Sequence, residues 1–466
     1  MSTHTSSDSS GVVGAAEAFA LAGAAPGGAD GCDIIFFSAA DSRTAIALTA
    51  LGFSFIFAAA LLVSMAVRLW LATRQVRHVR RHRETVPERF AGRVTAQAHR
   101  RAADYTVARV RLGMFEALAG ALLLLGFTLF GGLQWLLDLL AAWLPGAPFA
   151  RQILFVVAVV LAGTIVDLPI EWYRQFVLEQ RFGFNRMTPR LFVVDTLKGT
   201  AIAAALGLPL LALVLWLMRS SGSLWWLWAW GTWVAFNLGV LVLYPTVIAP
   251  MFNRFEPLED AALRARVESL LARCGFASKG LFVMDGSRRS AHGNAYFTGL
   301  GRSKRIVFFD TLLSRLDADE IEAVLAHELG HFHHRHVPRR IALMFAASLA
   351  GLWLLGWLSR QGWFYQGLGV TPAAGEFDAA ALVLFFLALP VFGFLLRPLA
   401  SWASRRHEFQ ADDYAAAHAR AEDLVSALVK LYEDNASTLT PDPLHSAFYD
   451  SHPPASLRIG RLQEAR

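Results

Sequence analysis

Cysteine is almost absent from the sequence. Only Cys32 and Cys274 occur, far apart, which excludes a disulfide scaffold and a Cys-rich zinc module. Lysine is nearly missing too. Lys198, Lys279, Lys304 and Lys430 are the whole set, so the positive charge is carried by arginine. We read that bias as G+C-rich coding and expect a bacterial source. Charge itself is scarce: 17% of the 466 residues are charged and 55% are hydrophobic. Soluble domains run near 25% charged, so a disordered chain is excluded and a purely soluble enzyme is not expected. The net charge of +6 invites a nucleic-acid reading, which the distribution of charge argues against.

The apolar residues come in blocks. Runs free of Asp, Glu, Lys and Arg cover Thr44–Val67, Ala117–Leu137, Gln152–Val166, Gly199–Met218, Ser220–Asn253, Ile341–Ser359 and Ala379–Leu396. A helix needs about 20 apolar residues to cross about 30 Å of hydrocarbon, so seven spans are expected. The third and seventh runs are short enough to be buried or re-entrant helices instead. Between the first two runs, Arg68–Arg111 carries 12 Arg against Glu84, Glu88 and Asp104. Few aromatics interleave there, so no nucleic acid is expected as a partner. Basic segments beside spans stay cytoplasmic. Alternation then puts Asp167–Lys198, Met251–Arg340 and Arg397–Arg466 on that same side.

The expected organisation follows. Residues 1–43 form a flexible tail; no basic segment precedes Gly11–Ala25, so a cleaved signal peptide is not expected. Residues 44–250 form five spans with a basic cytoplasmic loop at 68–111, 251–340 and 397–466 two hydrophilic segments that carry the candidate site residues given below, and 341–396 the last two spans. The fold class is mainly α membrane protein, with a small α+β domain on the cytoplasmic side, catalytic and zincin-like by the His327-Glu-Leu-Gly-His331 motif taken up next. In 251–340, Pro257–Gly275 is amphipathic, and Gly280–Met284, Ala295–Leu300 and Arg305–Phe309 are β-prone.

A helix should start at Asp317, with Glu320 completing a capping box, and run to about Arg335, ahead of Pro338. It carries His327-Glu-Leu-Gly-His331. Histidines at i and i+4 share a face and can reach one ion. Glu328 projects about 100° around and suits a general base acting on water that zinc acidifies. The motif alone has chance matches, and a surface histidine pair is the bland alternative. His334 is an alternative ligand, but His333, His334 and His336 read better as a solvated or headgroup-facing basic helix end.

A catalytic zinc needs a third protein ligand. Glu408 and Asp412 lie at i and i+4 after the seventh run. Glu408 would complete a His-His-Glu set, and Asp412 would hold a ligand histidine through its second ring nitrogen. His407 competes with Glu408. Asn294, with Ala295 and Tyr296, begins a strand that an extended substrate could join. His452, held by two prolines, could donate to an oxyanion. Both segments also read as structural loops.

At these residues the sequence resembles the integral-membrane zinc endopeptidases of the CAAX prenyl protease 1 type. The resemblance spans roughly 45–466. It rests on Glu179-Gln-Arg-Phe-Gly-Phe-Asn185, Ile248-Ala-Pro-Met-Phe-Asn-Arg-Phe-Glu-Pro-Leu258, His292-Gly-Asn-Ala-Tyr-Phe-Thr-Gly299, His327-Glu-Leu-Gly-His331, Arg405-Arg-His-Glu-Phe-Gln-Ala-Asp412 and His452-Pro-Pro454. It implies one Zn²⁺ per chain on His327, His331 and Glu408, with Glu328 as base. It also implies Asn294 and His452 on substrate and oxyanion, Asp412 behind a ligand, and Arg458 on a substrate carboxylate. Where that family more often has an acid before the arginine, this chain has Leu457. The expected partners are a peptide or protein substrate, prenylated or not, and the lipid bilayer. The expected location is a bacterial inner membrane with the site facing the cytoplasm. Alternatives are a quality-control protease without prenyl specificity, and a transporter or scaffold with a non-catalytic zinc.

Overall fold

The computed structural model describes residues 49–276, 278, 280–298 and 305–464. The expected flexible tail, Cys32, the start of the first apolar run and the end of the Ala295–Leu300 run lie outside these residues.

Every apolar run lies at least partly in a helix, and the first four helices extend past the charged residues that bound their runs. The first five are α1 (Ala50–Arg81), α2 (Ala96–Phe127), α3 (Pro148–Tyr173), α4 (Pro189–Ser220) and α5 (Trp225–Leu243). A helix satisfies its backbone groups internally, which hydrocarbon demands. Thr49, Thr95 and Thr188 cap α1, α2 and α4 by accepting from Gly52, Ala98 and Leu191 N–H. Pro148 and Pro189 occupy first turns, where no N–H is needed.

The stretch Arg68–Arg111 is not the connecting loop its charge suggested. α1 runs on to Arg81 and α2 starts at Ala96, so only residues 82–95 join them. A 32-residue helix is about 48 Å long, well beyond the apolar run. The arginines therefore lie largely on helix extensions, and Arg83 of the connection pairs with Asp104 of α2 at 2.8 Å.

Next comes a four-stranded sheet beside α6 (Ala261–Arg273). Its strands are β1 (Phe255–Pro257), β2 (Leu281–Met284), β3 (Ala295–Thr298) and β4 (Arg305–Phe309), ordered β1-β2-β4-β3. β2 and β4 are parallel and the other pairs antiparallel. β3 is an edge strand. β1 went unread in the sequence because three residues ending in Pro257 carry no alternation, and proline suits an edge.

β4 leads to α7 (Ala318–His333). Its capping box is formed: Glu320 N–H donates to Asp317 Oδ1 and Asp317 N–H to Glu320 Oε2, both at 3.0 Å. After α8 (His336–Leu358) and α9 (Phe377–Gly393), the chain enters α10 (Arg397–His418), α11 (Ala421–Asp434), α12 (Pro443–Tyr449) and α13 (Ala455–Glu464). Among the described residues seven helices are long and apolar enough to cross a membrane. The third and seventh runs are among them.

Two cores result. One joins Leu270, Phe308, Leu329, Leu428 and Ile459, so the segments before and after α8–α9 fold together. The other joins Phe57, Phe155, Leu215, Leu355 and Leu384 from the spans. α7 and α10 pack side by side. Gly330 allows it: a Cβ there would meet Ala411 Cα at 2.9 Å.

Candidate metal centre

That close approach carries Glu408 onto the face of α7 that bears both histidines. The rings of His327 and His331 have centroids 5.0 Å apart. Glu408 Oε2 lies 3.5 Å from His327 Nε2, and Oε1 lies 3.3 Å from His331 Nε2. One donor atom from each residue falls within 4.8 Å of the others. His407, one position away, turns aside and stacks on His336 at 4.0 Å. His334 stays outside the cluster.

The cluster calls for a cation. His327 is fully buried, Glu408 nearly so, and among the described residues neither His327 Nε2 nor Glu408 Oε2 has a hydrogen-bond partner. Buried polar atoms without partners are costly. Two imidazole nitrogens and a carboxylate oxygen suit zinc and leave a position for water. Burial lowers the pKa of His331 below the ordinary histidine value, which favours the neutral ligand form. The residues fit the metal.

Behind the cluster, Asp412 Oδ1 lies 2.8 Å from His327 Nδ1, where it accepts the ring N–H. Arg458 from α13 clamps both Asp412 oxygens, Nε to Oδ2 at 2.8 Å and Nη2 to Oδ1 at 2.5 Å. This departs from the expected contact with a substrate carboxylate. Arg458 is 1% exposed, because the register of α13 sets it in the core under the ligands. There the buried Asp412 needs a counter-charge.

His452 comes to the same place. Its Nε2 is 3.3 Å from Glu408 Oε1, and its Nδ1 is 3.1 Å from Ser451 Oγ. Burial pushes its pKa down to about 3, so its ring is neutral near pH 7. Sequence reasoning missed what holds this loop. Arg405 Nη1 donates to the carbonyls of Ser446, Ala447 and Asp450 at 3.3, 3.2 and 2.8 Å. The signal was available, since Arg405 precedes Glu408 by three residues and shares its face.

Asn294 sits at the head of β3, where its Oδ1 accepts from Ala295 N–H at 2.8 Å. Ala295 is buried, Tyr296 is half-buried, and among the described residues β3 pairs with β4 on one side only. Glu328 is half-buried on α7, one residue past His327. The bland reading of His336 does not hold: it is 5% exposed and lies against His331. A cavity of about 660 Å³, lined by Arg101, Phe184, Arg186, Ser290 and Asp434 among others, involves none of these residues.

Residues 75–254 match the family model "CAAX prenyl protease N-terminal, five membrane helices", and residues 257–466 match "Peptidase family M48". CAAX prenyl protease 1 of Saccharomyces cerevisiae is 38% identical over 67% of this chain and 72% of its own length. The CAAX prenyl protease 1 homolog of Arabidopsis thaliana is 34% identical over 80% and 89%. Among solved structures, S. mikatae Ste24p is similar with a TM-score of 0.81 and 30% identity, covering 88% of this chain and 99% of that one. The chain is an integral membrane zinc metalloprotease. It belongs to the CAAX prenyl protease 1 family, whose N-terminal spans and M48 peptidase segment it carries in that order.

Proposed function

We propose that His327, His331 and Glu408 hold one zinc and that Glu328 is the general base of an endopeptidase acting on a prenylated CAAX-type C-terminus. The observation that carries the site reading is the pair of orphaned buried atoms, His327 Nε2 and Glu408 Oε2, facing each other at 3.5 Å. Zinc, when bound, supplies Lewis acidity that lowers the pKa of water toward 7. Glu328 takes the proton of the attacking water and returns it to the leaving amine. His452, neutral, donates its N–H where charge grows on the carbonyl oxygen. Asp412 accepts from His327 Nδ1 and fixes its tautomer, and Arg458 balances the Asp412 charge. The open edge of β3, from Asn294 through Ala295 and Tyr296, receives the substrate backbone as an added strand.

The prenyl part of the reading rests on the names of the relatives. The arginine-rich ends of α1 and α2 support a site facing the cytoplasm. The arginine bias supports a bacterial inner membrane. The test compares a farnesylated CAAX peptide with its unprenylated match, using the purified zinc-loaded protein. Preferential cleavage of the farnesylated peptide is expected. Equal cleavage removes prenyl recognition and leaves a quality-control protease.

A further inference from the structure

We infer that His336 and Gln410 form a neutral hydrogen-bond relay that fixes the tautomer of His331 and so prepares its Nε2 as a metal ligand. This rests on the zinc reading above. His336 Nδ1 lies 2.9 Å from His331 Nδ1, and His336 Nε2 lies 2.8 Å from Gln410 Oε1. An amide oxygen only accepts. His336 Nε2 therefore donates, and in a neutral ring its Nδ1 is the acceptor. His331 Nδ1 must then carry the proton, which leaves the lone pair on Nε2, the atom 3.3 Å from Glu408 Oε1. Turning the amide round would reverse every bond in the series and protonate the nitrogen that has to ligate. The two ligand histidines are thus held differently, His327 by the carboxylate of Asp412 and His331 by an uncharged imidazole.

The backbone is bent to make this contact. In a continuous helix, residue 336 would lie about 7.5 Å further along the axis from residue 331 and about 140° around it. α7 instead ends at His333, and Arg335 adopts φ 55°, ψ 36° before α8 begins at His336. Left-handed backbone is uncommon outside glycine. Pro338 enforces the break, since its ring would clash with the His334 carbonyl of a continuous helix and it has no N–H to bond it. The break folds His336 back onto His331. Stacking on His407, at 4.0 Å and 16° between planes, sets the ring orientation. Strained backbone beside a site is where positioning is expected.

The test measures zinc affinity of the full-length solubilised protein by chelator competition, with the d–d absorption of the cobalt-loaded protein as a second readout. His336→Phe keeps a ring to stack on His407 but has no acceptor. It is expected to weaken zinc binding at least tenfold and to shift the cobalt bands. His336→Gln, whose amide oxygen can accept from His331, is expected to recover most of the affinity. Gln410→Leu, at an exposed position, is expected to shift the cobalt bands and decides the matter should His336→Phe fail to fold. Wild-type affinity and cobalt bands in both His336→Phe and Gln410→Leu would overturn the relay. His331→Ala separates the two readings. If it loses zinc while His336→Phe keeps it, only the relay is wrong; if it binds zinc like wild type, the metal assignment falls as well.

Discussion

Arg458 and Asp412 form a two-pronged ion pair in which both side chains are 1% exposed. Asp412 in turn touches His327, so the pair sits directly behind a metal ligand. Removing one member of a buried pair leaves the other uncompensated and costs about 3–5 kcal/mol. Arg458→Ala is therefore expected to lower the thermal midpoint sharply and to weaken zinc binding. A role on substrate would instead raise KM for peptides with a free carboxylate relative to amidated ones, while leaving stability unchanged. Thermal unfolding together with that KM ratio checks the assignment.

Gly330 is a second point of failure. A methyl group there would meet Ala411 Cα at 2.9 Å and Tyr414 Cβ at 3.0 Å. Overpacking of this kind costs about 1–3 kcal/mol. Here it also separates α7 from α10, and with them the histidines from Glu408. Gly330→Ala is expected to lose at least tenfold in zinc affinity. Chelator competition measures this directly.

The acid limb of zinc binding has a predicted sign. A ligand histidine must be neutral, so protons compete with the metal. Burial holds His331 below its ordinary value of about 6.5. Its neutral form thus predominates above that pH and is lost as pH falls past the lowered value. The part of the acid limb that His331 contributes should therefore fall below about pH 6.5, at lower pH than an unburied histidine would give. A His331→Gln protein whose acid limb matches that of the wild type would contradict this. His452, with its pKa near 3, should contribute nothing to that limb.

Orientation is open to a simple test. Reporter fusions after Phe90 and after Val370 should report opposite faces of the membrane. Phe90 lies between α1 and α2 and Val370 between α8 and α9. The same face for both would break the seven-span arrangement.

Local signals were legible in the sequence, and long-range ones were not. The capping box of Asp317 and Glu320, the i, i+4 histidines, the i, i+4 acids and the apolar runs each lie within one helix, where spacing alone sets geometry. The burial of Arg458 depends on α13 docking under residues 46 and 131 positions away, which no periodicity records. His336 was misread for a related reason. Its helical phase points away from His331, and only the left-handed turn at Arg335 brings it back. The arginine-rich ends of α1 and α2 looked like a loop because charge ends an apolar run without ending a helix.

The central claim is that Glu328 moves the proton in a zinc-dependent hydrolysis. The most direct measurement is peptide cleavage by Glu328→Gln alongside its zinc content. Full zinc stoichiometry with cleavage reduced by at least three orders of magnitude is the predicted result. A Glu328→Gln protein that holds zinc and cleaves at the wild-type rate would contradict the mechanism.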